Sequence, residues 1–377
     1  MKCDIAGVRP LQEIISGRWL PAGVAAVFEL APGGFYRRPA PLAIDAADLD
    51  RDQLPAVRGI YNVDAASQPF GPVCCAVLKG AFVAGQGSVV TRDGCVVRES
   101  VAEFVAHGDV PDGFVGDGAG GLRLSNPPCR RISGPVLLLK RPWWRNYGHW
   151  LIDSAAMLAL ATLRLPGPWQ AMVGRQESPK MRRVVADTFS CLAPGAEALE
   201  HPDGEVWLCD ELLYVSPLHV PPLFKHPDGL STLRARILRR ADGAAQPVRR
   251  LFVTRGGQGH RRLENEAELA ALAVARGYEV VDPLDLDLAG QARLFRGAAS
   301  VAGVKGAALA NMLFSGAGTR CLVLSPGDFP DPFFWDLACH AGASYAELFG
   351  PLTGRGRARG HNSFTADPVR FAAMLPH

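Results

Sequence analysis

Leu251-Phe252-Val253-Thr254, Glu279-Val280-Val281 and Ser300-Val301-Ala302-Gly303-Val304 are three short apolar runs, and stretches of helical period, 264–276 and 288–296, separate them. The pattern continues through helix 307–314, strand 320–324, helix 333–341 and strand 345–348. Short strands alternating with amphipathic helices over brief connections predict a parallel, doubly wound sheet. In such a sheet ligands sit at the carboxyl ends of the strands.

Two of those ends carry anion chemistry. After Thr254 comes Arg255-Gly-Gly-Gln-Gly-His-Arg-Arg262. Glycines let backbone N–H groups approach an anion, and guanidinium forks match phosphate oxygens; a solvated basic loop is the plainer alternative. After Val304 comes Lys305-Gly306-Ala307-Ala308-Leu309-Ala310-Asn311. Small residues in a first helical turn let a ligand reach N–H groups whose dipole favours negative charge, and Lys305 adds a full positive charge. Helix-on-sheet packing would use the same small residues. Asn311, one turn on, bonds either a ligand or a neighbouring loop, and Gln291 faces either the site or solvent. Asp285-Leu-Asp287 has the spacing of a D-x-D metal motif, but it precedes helix 288–296, where Asp287 fits an N-cap and Asp285 a loop. No metal is expected there.

Toward the N-terminus the next informative stretch is Arg141-Pro-Trp-Trp-Arg-Asn-Tyr-Gly-His-Trp-Leu-Ile-Asp153. The strand-like run Val136-Leu137-Leu138-Leu139 enters it, and a helix over 149–163 leaves it. His149 and Asp153 are four apart and so share one helix face. Such a carboxylate fixes the tautomer and raises the basicity of the imidazole, which makes a general base; a pair that merely caps the helix is the alternative. Trp143, Trp144, Tyr147 and Trp150 suit a wall that stacks on a ring, or a core. Strand 171–173, helix 179–190, strands within 205–216 and helix 229–240 then complete an α/β unit. A polar stretch, 239–247, bounds it. Residues 1–130 are β-rich and punctuated by glycine and proline. There Gly116-Asp-Gly-Ala-Gly-Gly121 reads as a loop, because Asn126-Pro-Pro128 follows too soon for a helix.

The chain has 377 residues, 48% hydrophobic and 20% charged, which describes two globular domains and excludes a disordered chain. A net charge of +3 gives no reason to expect a nucleic-acid partner. Nine cysteines without a C-x-x-C suit reduced thiols. No apolar run reaches the ~18 residues of a membrane span, and Met1-Lys-Cys-Asp-Ile lacks a signal-peptide core, so a cytoplasmic protein is expected.

Three blocks in order, Asn146-Tyr-Gly-His-Trp-Leu-Ile-Asp153, then Thr254-Arg255 with Arg261-Arg-Leu-Glu-Asn265-Glu266, then Gln291-Ala-Arg-Leu-Phe295 through Gly303-Val-Lys-Gly-Ala-Ala-Leu-Ala-Asn-Met-Leu-Phe314, resemble glycosyltransferase family 61. That family includes bacterial capsular polysaccharide biosynthesis proteins and eukaryotic xylosyl- and N-acetylglucosaminyltransferases. The resemblance implies an inverting, metal-independent transferase. Its fold would be α/β: two Rossmann-like domains facing a cleft (GT-B-like), with a β-rich N-terminal extension. It implies a nucleotide-sugar donor, usually a UDP-sugar, no further cofactor, and a glycan or lipid-linked glycan acceptor in capsular, exopolysaccharide or lipopolysaccharide synthesis, with peripheral membrane docking left open. By motif position Arg255, Arg261, Asn265, Gln291, Lys305, Gly306, Ala307 and Asn311 fall around the donor, and His149 and Asp153 face the acceptor hydroxyl. The domains would be 1–130, the β-rich part of the acceptor domain; 131–245, its α/β part; 246–350, the donor domain; and 351–377, a tail in which Arg355, Arg357 and Arg359 alternate with other residues. The family pattern commonly has His where Lys305 stands. A lysine neutralises a diphosphate but is no neutral hydrogen-bond partner at pH 7. The alternatives are an inactive sugar-nucleotide or glycan-binding relative and a Rossmann oxidoreductase, the latter opposed by the missing G-x-G-x-x-G.

Overall fold

A computed structural model describes residues 7–18, 22–61, 67–116, 122–241, 248–256, 260–354, 356 and 358–376. It divides into two compact units, Met1–Gly34 with Gly71–Leu218, and Phe35–Phe70 with His219–His377. The chain therefore passes from one to the other three times. The expected boundary at 245 lies in 242–247, outside the described residues, as do Arg355, Arg357 and the loop residues 117–121 and 257–259.

In the second unit the strands Arg249–Val253, Glu279–Val281, Ala298–Val304, Arg320–Pro326 and Ser344–Gly350 form one parallel sheet. Counted in chain order, they lie side by side as 2-1-3-4-5. A sixth strand, Ala43–Asp45, joins in parallel beside Ser344–Gly350. Both faces of the three inner strands Ala298–Val304, Arg320–Pro326 and Ser344–Gly350 and of the end of Arg249–Val253 are covered, which is why they read as nearly continuous apolar runs, whereas Glu279–Val281 at the edge is largely exposed. Phe252, Ala302, Leu322 and Leu348 share a core with Leu269, Ala273 and Phe371 from helices Glu266–Val274 and Pro368–Met374. Their neighbours Leu251, Val253, Val301 and Val323 are as deeply buried, and strand alternation turns them to the other face. Helices Pro227–Arg240, Leu288–Arg296 and Phe333–Ala341 pack together with Ala307–Phe314, which is wound as a 3-10 helix. The order reverses between Arg249–Val253 and Ala298–Val304. That is the switch point where open sheets of this kind leave a crevice beyond the strand ends.

The first unit is mixed. Arg130–Leu138 runs parallel to both Gln170–Gly174 and Val206–Val215, and Ala198–His201 is parallel to Gln170–Gly174. Val73–Ala84 then continues the sheet antiparallel to Val206–Val215, and Val24–Ala31 and Ser88–Val90 pair with it. Residues 1–130 were expected as a β-rich N-terminal extension forming part of the acceptor domain. Val73–Ala84 lies inside the sheet of the first unit, with its side chains buried on both sides of the Lys79-Gly80 break. The second unit has the parallel, α/β sheet expected from the alternation; in the first, parallel strands pass directly into antiparallel ones.

Candidate active-site residues

The imidazole–carboxylate pair stands at the start of a helix. Asn146 caps it, its side-chain oxygen accepting from the N–H groups of Gly148 at 2.9 Å and His149 at 3.4 Å. After one α-turn, Tyr147–His149, the backbone widens into a π-helical segment, Trp150–Ala155, before Ala156–Arg164 resumes the α form. Widened turns of this sort recur at functional sites. His149 Nδ1 lies 3.0 Å from Asp153 Oδ2, and the two side chains keep 28% and 17% of their surface. The carboxylate can orient the ring through Nδ1 and raise its basicity. Trp144 and Trp150 belong to the core, whereas Trp143 is exposed and tilts beside the His149 ring, centroids 6.5 Å apart.

At the switch point of the second unit, Thr254 and Arg255 follow the first strand. Glu266 Oε1 accepts from Thr254 Oγ1 at 3.0 Å and from Arg255 N at 2.9 Å, fixing the turn. Arg255 Nη1 donates to the carbonyl of Lys305 at 3.0 Å, across to the end of the third strand. Gly306 leaves room for that approach, since a Cβ there would stand 3.2 Å from the guanidinium, which would have to shift by a few tenths of an ångström. Arg261, in the left-handed region at φ 56°, sets its guanidinium 5.3 Å from the Phe329 ring. Burial, then the nearby Arg255 cation, pushes its pKa down to about 10, and burial also lowers that of Arg255. Arg261 Nε has no hydrogen-bond partner among the described residues. Two crowded, partly desolvated cations with a donor to spare suit an anion with several oxygens.

Other expected donor residues are spent inside the unit. Lys305 is fully buried; its ammonium lies 2.7 Å from Glu347 Oε1 and donates to the carbonyls of Phe329 at 3.1 Å and Asp331 at 3.4 Å. Tyr345 donates to Glu347 at 2.8 Å, and Tyr61 and Ser325 donate to it as well. Asn311 Nδ2 donates to Gln291 Oε1 at 2.7 Å, and Gln291 in turn to the carbonyl of Leu286 at 3.2 Å, both side chains fully buried. Asn265 holds the backbone of Ala366 through both its amide atoms. Asp287 caps Leu288–Arg296, accepting from Gly290 N at 2.6 Å. Ala307 opens the 3-10 helix just after Gly306. The structure thus brings Arg255, Arg261, Lys305 and Gly306 together at the strand ends, with Lys305 facing inward. Sequence reasoning missed the loop Asp328-Phe329-Pro330-Asp331 beside them. The signal was there, because the loop follows the carboxyl end of the fourth strand.

Comparison with known families finds a likeness to glycosyltransferases. The model of the family described as Glycosyltransferase 61 matches residues 147–322, a little under half of the chain, from the His149 helix to the fourth strand of the parallel sheet. Over those residues the chain is similar to glycosyltransferase family 61. No curated protein matches it. No helix among the described residues is long and apolar enough to cross a membrane.

Proposed function

We propose that the chain is a glycosyltransferase that moves a sugar from a nucleotide-sugar, a UDP-sugar by the family resemblance, to a hydroxyl of a glycan, with inversion and without a required metal, in the two-domain architecture that the resemblance implies. Synthesis of a bacterial capsular or other surface polysaccharide is the setting the family suggests, in the cytoplasm, and a lipid-linked acceptor would bring the enzyme to a membrane surface. The observation that carries the reading is the arginine pair at the switch point of the second unit, with Arg261 Nε unpartnered among the described residues. A diphosphate there would be held by Arg255, Arg261 and the backbone around Gly306 and Ala307. The role of Lys305 becomes that of a brace under the site.

In the chemical step His149, oriented by Asp153, takes the proton of the acceptor hydroxyl as its oxygen bonds the anomeric carbon. The bond to the diphosphate oxygen breaks, and the arginines neutralise the charge that develops on it. The test is a thermal-shift and transfer assay with UDP and UDP-sugars. Asp153→Asn is expected to lower turnover by at least ~10² while leaving the UDP-induced shift intact. Arg261→Ala is expected to remove the shift. A UDP shift that survives Arg261→Ala, or full turnover in Asp153→Asn, would reject these assignments, and UDP binding without any transfer would favour the inactive-relative reading.

A further inference from the structure

Trp143 is held in a way that packing does not require. Of the three neighbouring tryptophans, Trp150 is buried with its Nε1–H on Thr188 Oγ1 at 3.0 Å, and Trp144 is buried with Lys140 and Arg145 over its ring. Trp143 keeps 58% of its surface in solvent. Its backbone is left-handed, φ 65°, a conformation that bulky L residues avoid and that is retained mainly where a site needs a particular direction. The ring is not loose: its indole N–H donates to the Glu103 carboxylate, and the backbone N–H reaches Gln86 Oε1 at 3.4 Å. Gln86 is fixed in turn by Asp112. A large apolar face is therefore anchored at its edge, rimmed by polar groups, and set beside the His149–Asp153 pair.

A pyranose has the matching chemistry. One face presents axial C–H groups to an aromatic ring, while the hydroxyls point outward to amide and carboxylate groups such as Gln86 and Glu103. Resting on the transferase reading, we propose that Trp143 is the stacking platform of the acceptor subsite, binding the apolar face of a pyranose ring so that one of its hydroxyls is presented to His149.

The test uses saturation-transfer NMR on the full-length protein with a panel of methyl pyranosides of gluco, galacto, manno, xylo and N-acetylglucosamine configuration, both anomers. In the wild type, at least one is expected to receive saturation on the protons of a single ring face. Trp143→Phe should retain that signal, and Trp143→Ala and Trp143→Gly should lose it. Glycine adopts the left-handed backbone freely, so the melting temperature of Trp143→Gly should not fall below that of the wild type, which separates loss of binding from loss of fold. The UDP-induced thermal shift should be the same in all four proteins. The proposal is overturned if no pyranoside is saturated by the wild type, or if Trp143→Ala keeps the wild-type signal. A pyranoside held through Trp143 in a protein that UDP does not shift would sink the transferase reading and leave the platform standing.

Discussion

Lys305 shows how a residue can stand at a strand end and still turn its charge inward. Its ammonium is closed off by Glu347 and two loop carbonyls, while its own carbonyl receives Arg255. Removing the cation strands a buried carboxylate, so Lys305→Met should cost roughly 3–5 kcal/mol of stability in urea unfolding. UDP affinity should fall with it, because the Phe329 loop under Arg261 loses its tie. An unchanged unfolding midpoint would show that the pair is not a brace. The sequence displayed Lys305 at a strand end, but its partner looked like an ordinary strand residue, since nothing in one sequence says which side chains of distant strands meet. His201 and His340 make a second prediction at this scale. Burial foremost, then the adjacent Lys140 ammonium, holds His201 down to about 3, and burial holds His340 at about 4. Both fold as neutral rings, whereas the unfolded chain takes up protons below its ordinary value of ~6.5. Stability is therefore lost as pH falls from there toward those lower values, by at most ~1.4 kcal/mol per pH unit for each ring. Comparing denaturant unfolding at pH 6.5 and 4.5, His201→Gln should lose about half of the decline. Asp336 titrates only toward about 2, outside that window: its burial opposes ionisation, but Lys225, His340 and Arg38 outweigh it.

Among the elements, the His149 helix was legible and its inner form was not. Apolar periodicity locates a helix over 149–163, and the structure has one from Tyr147 to Arg164. The widened segment Trp150–Ala155 is invisible to a 3.6-residue period, because its residues are nearly all buried whatever their phase. The neighbouring strand Gln170–Gly174 ends on a glycine for a packing reason. A Cβ on Gly174 would lie 2.0 Å from the Trp144 indole nitrogen. Gly174→Ala must therefore push Trp144, and the turn that carries Arg145 and Asn146, off their positions. The expected cost is about 1–3 kcal/mol, read as a lower melting temperature, with weaker transfer but an undiminished UDP shift. A wild-type melting temperature would mean that the indole has room to move.

For the molecule as a whole, legibility followed burial. Strands of the second unit covered on both faces write themselves as apolar runs, so the alternation from 251 to 348 could be read directly. Residues 35–70 gave no such signal. Their strands are short, as in Ala43–Asp45, and their ties are polar: Tyr36 and Arg38 to Asp336, and Tyr61 to Glu347. A fragment starting at residue 219 therefore lacks Arg38 beside a buried aspartate and Tyr61 beside a buried glutamate. It should remain unfolded or aggregate by circular dichroism and gel filtration, and adding residues 35–70 in trans should restore a folded species. A native-like spectrum for the fragment alone would contradict this. The same division sets the timetable of biosynthesis. The segment that completes the second unit leaves the ribosome before most of the first unit has been made, and its strand Ala43–Asp45 waits for Ser344–Gly350, the strand it borders. Through that interval the nascent chain carries a strand without its partner and two tyrosines without their carboxylates, the kind of unpaired edge that invites mispairing during synthesis.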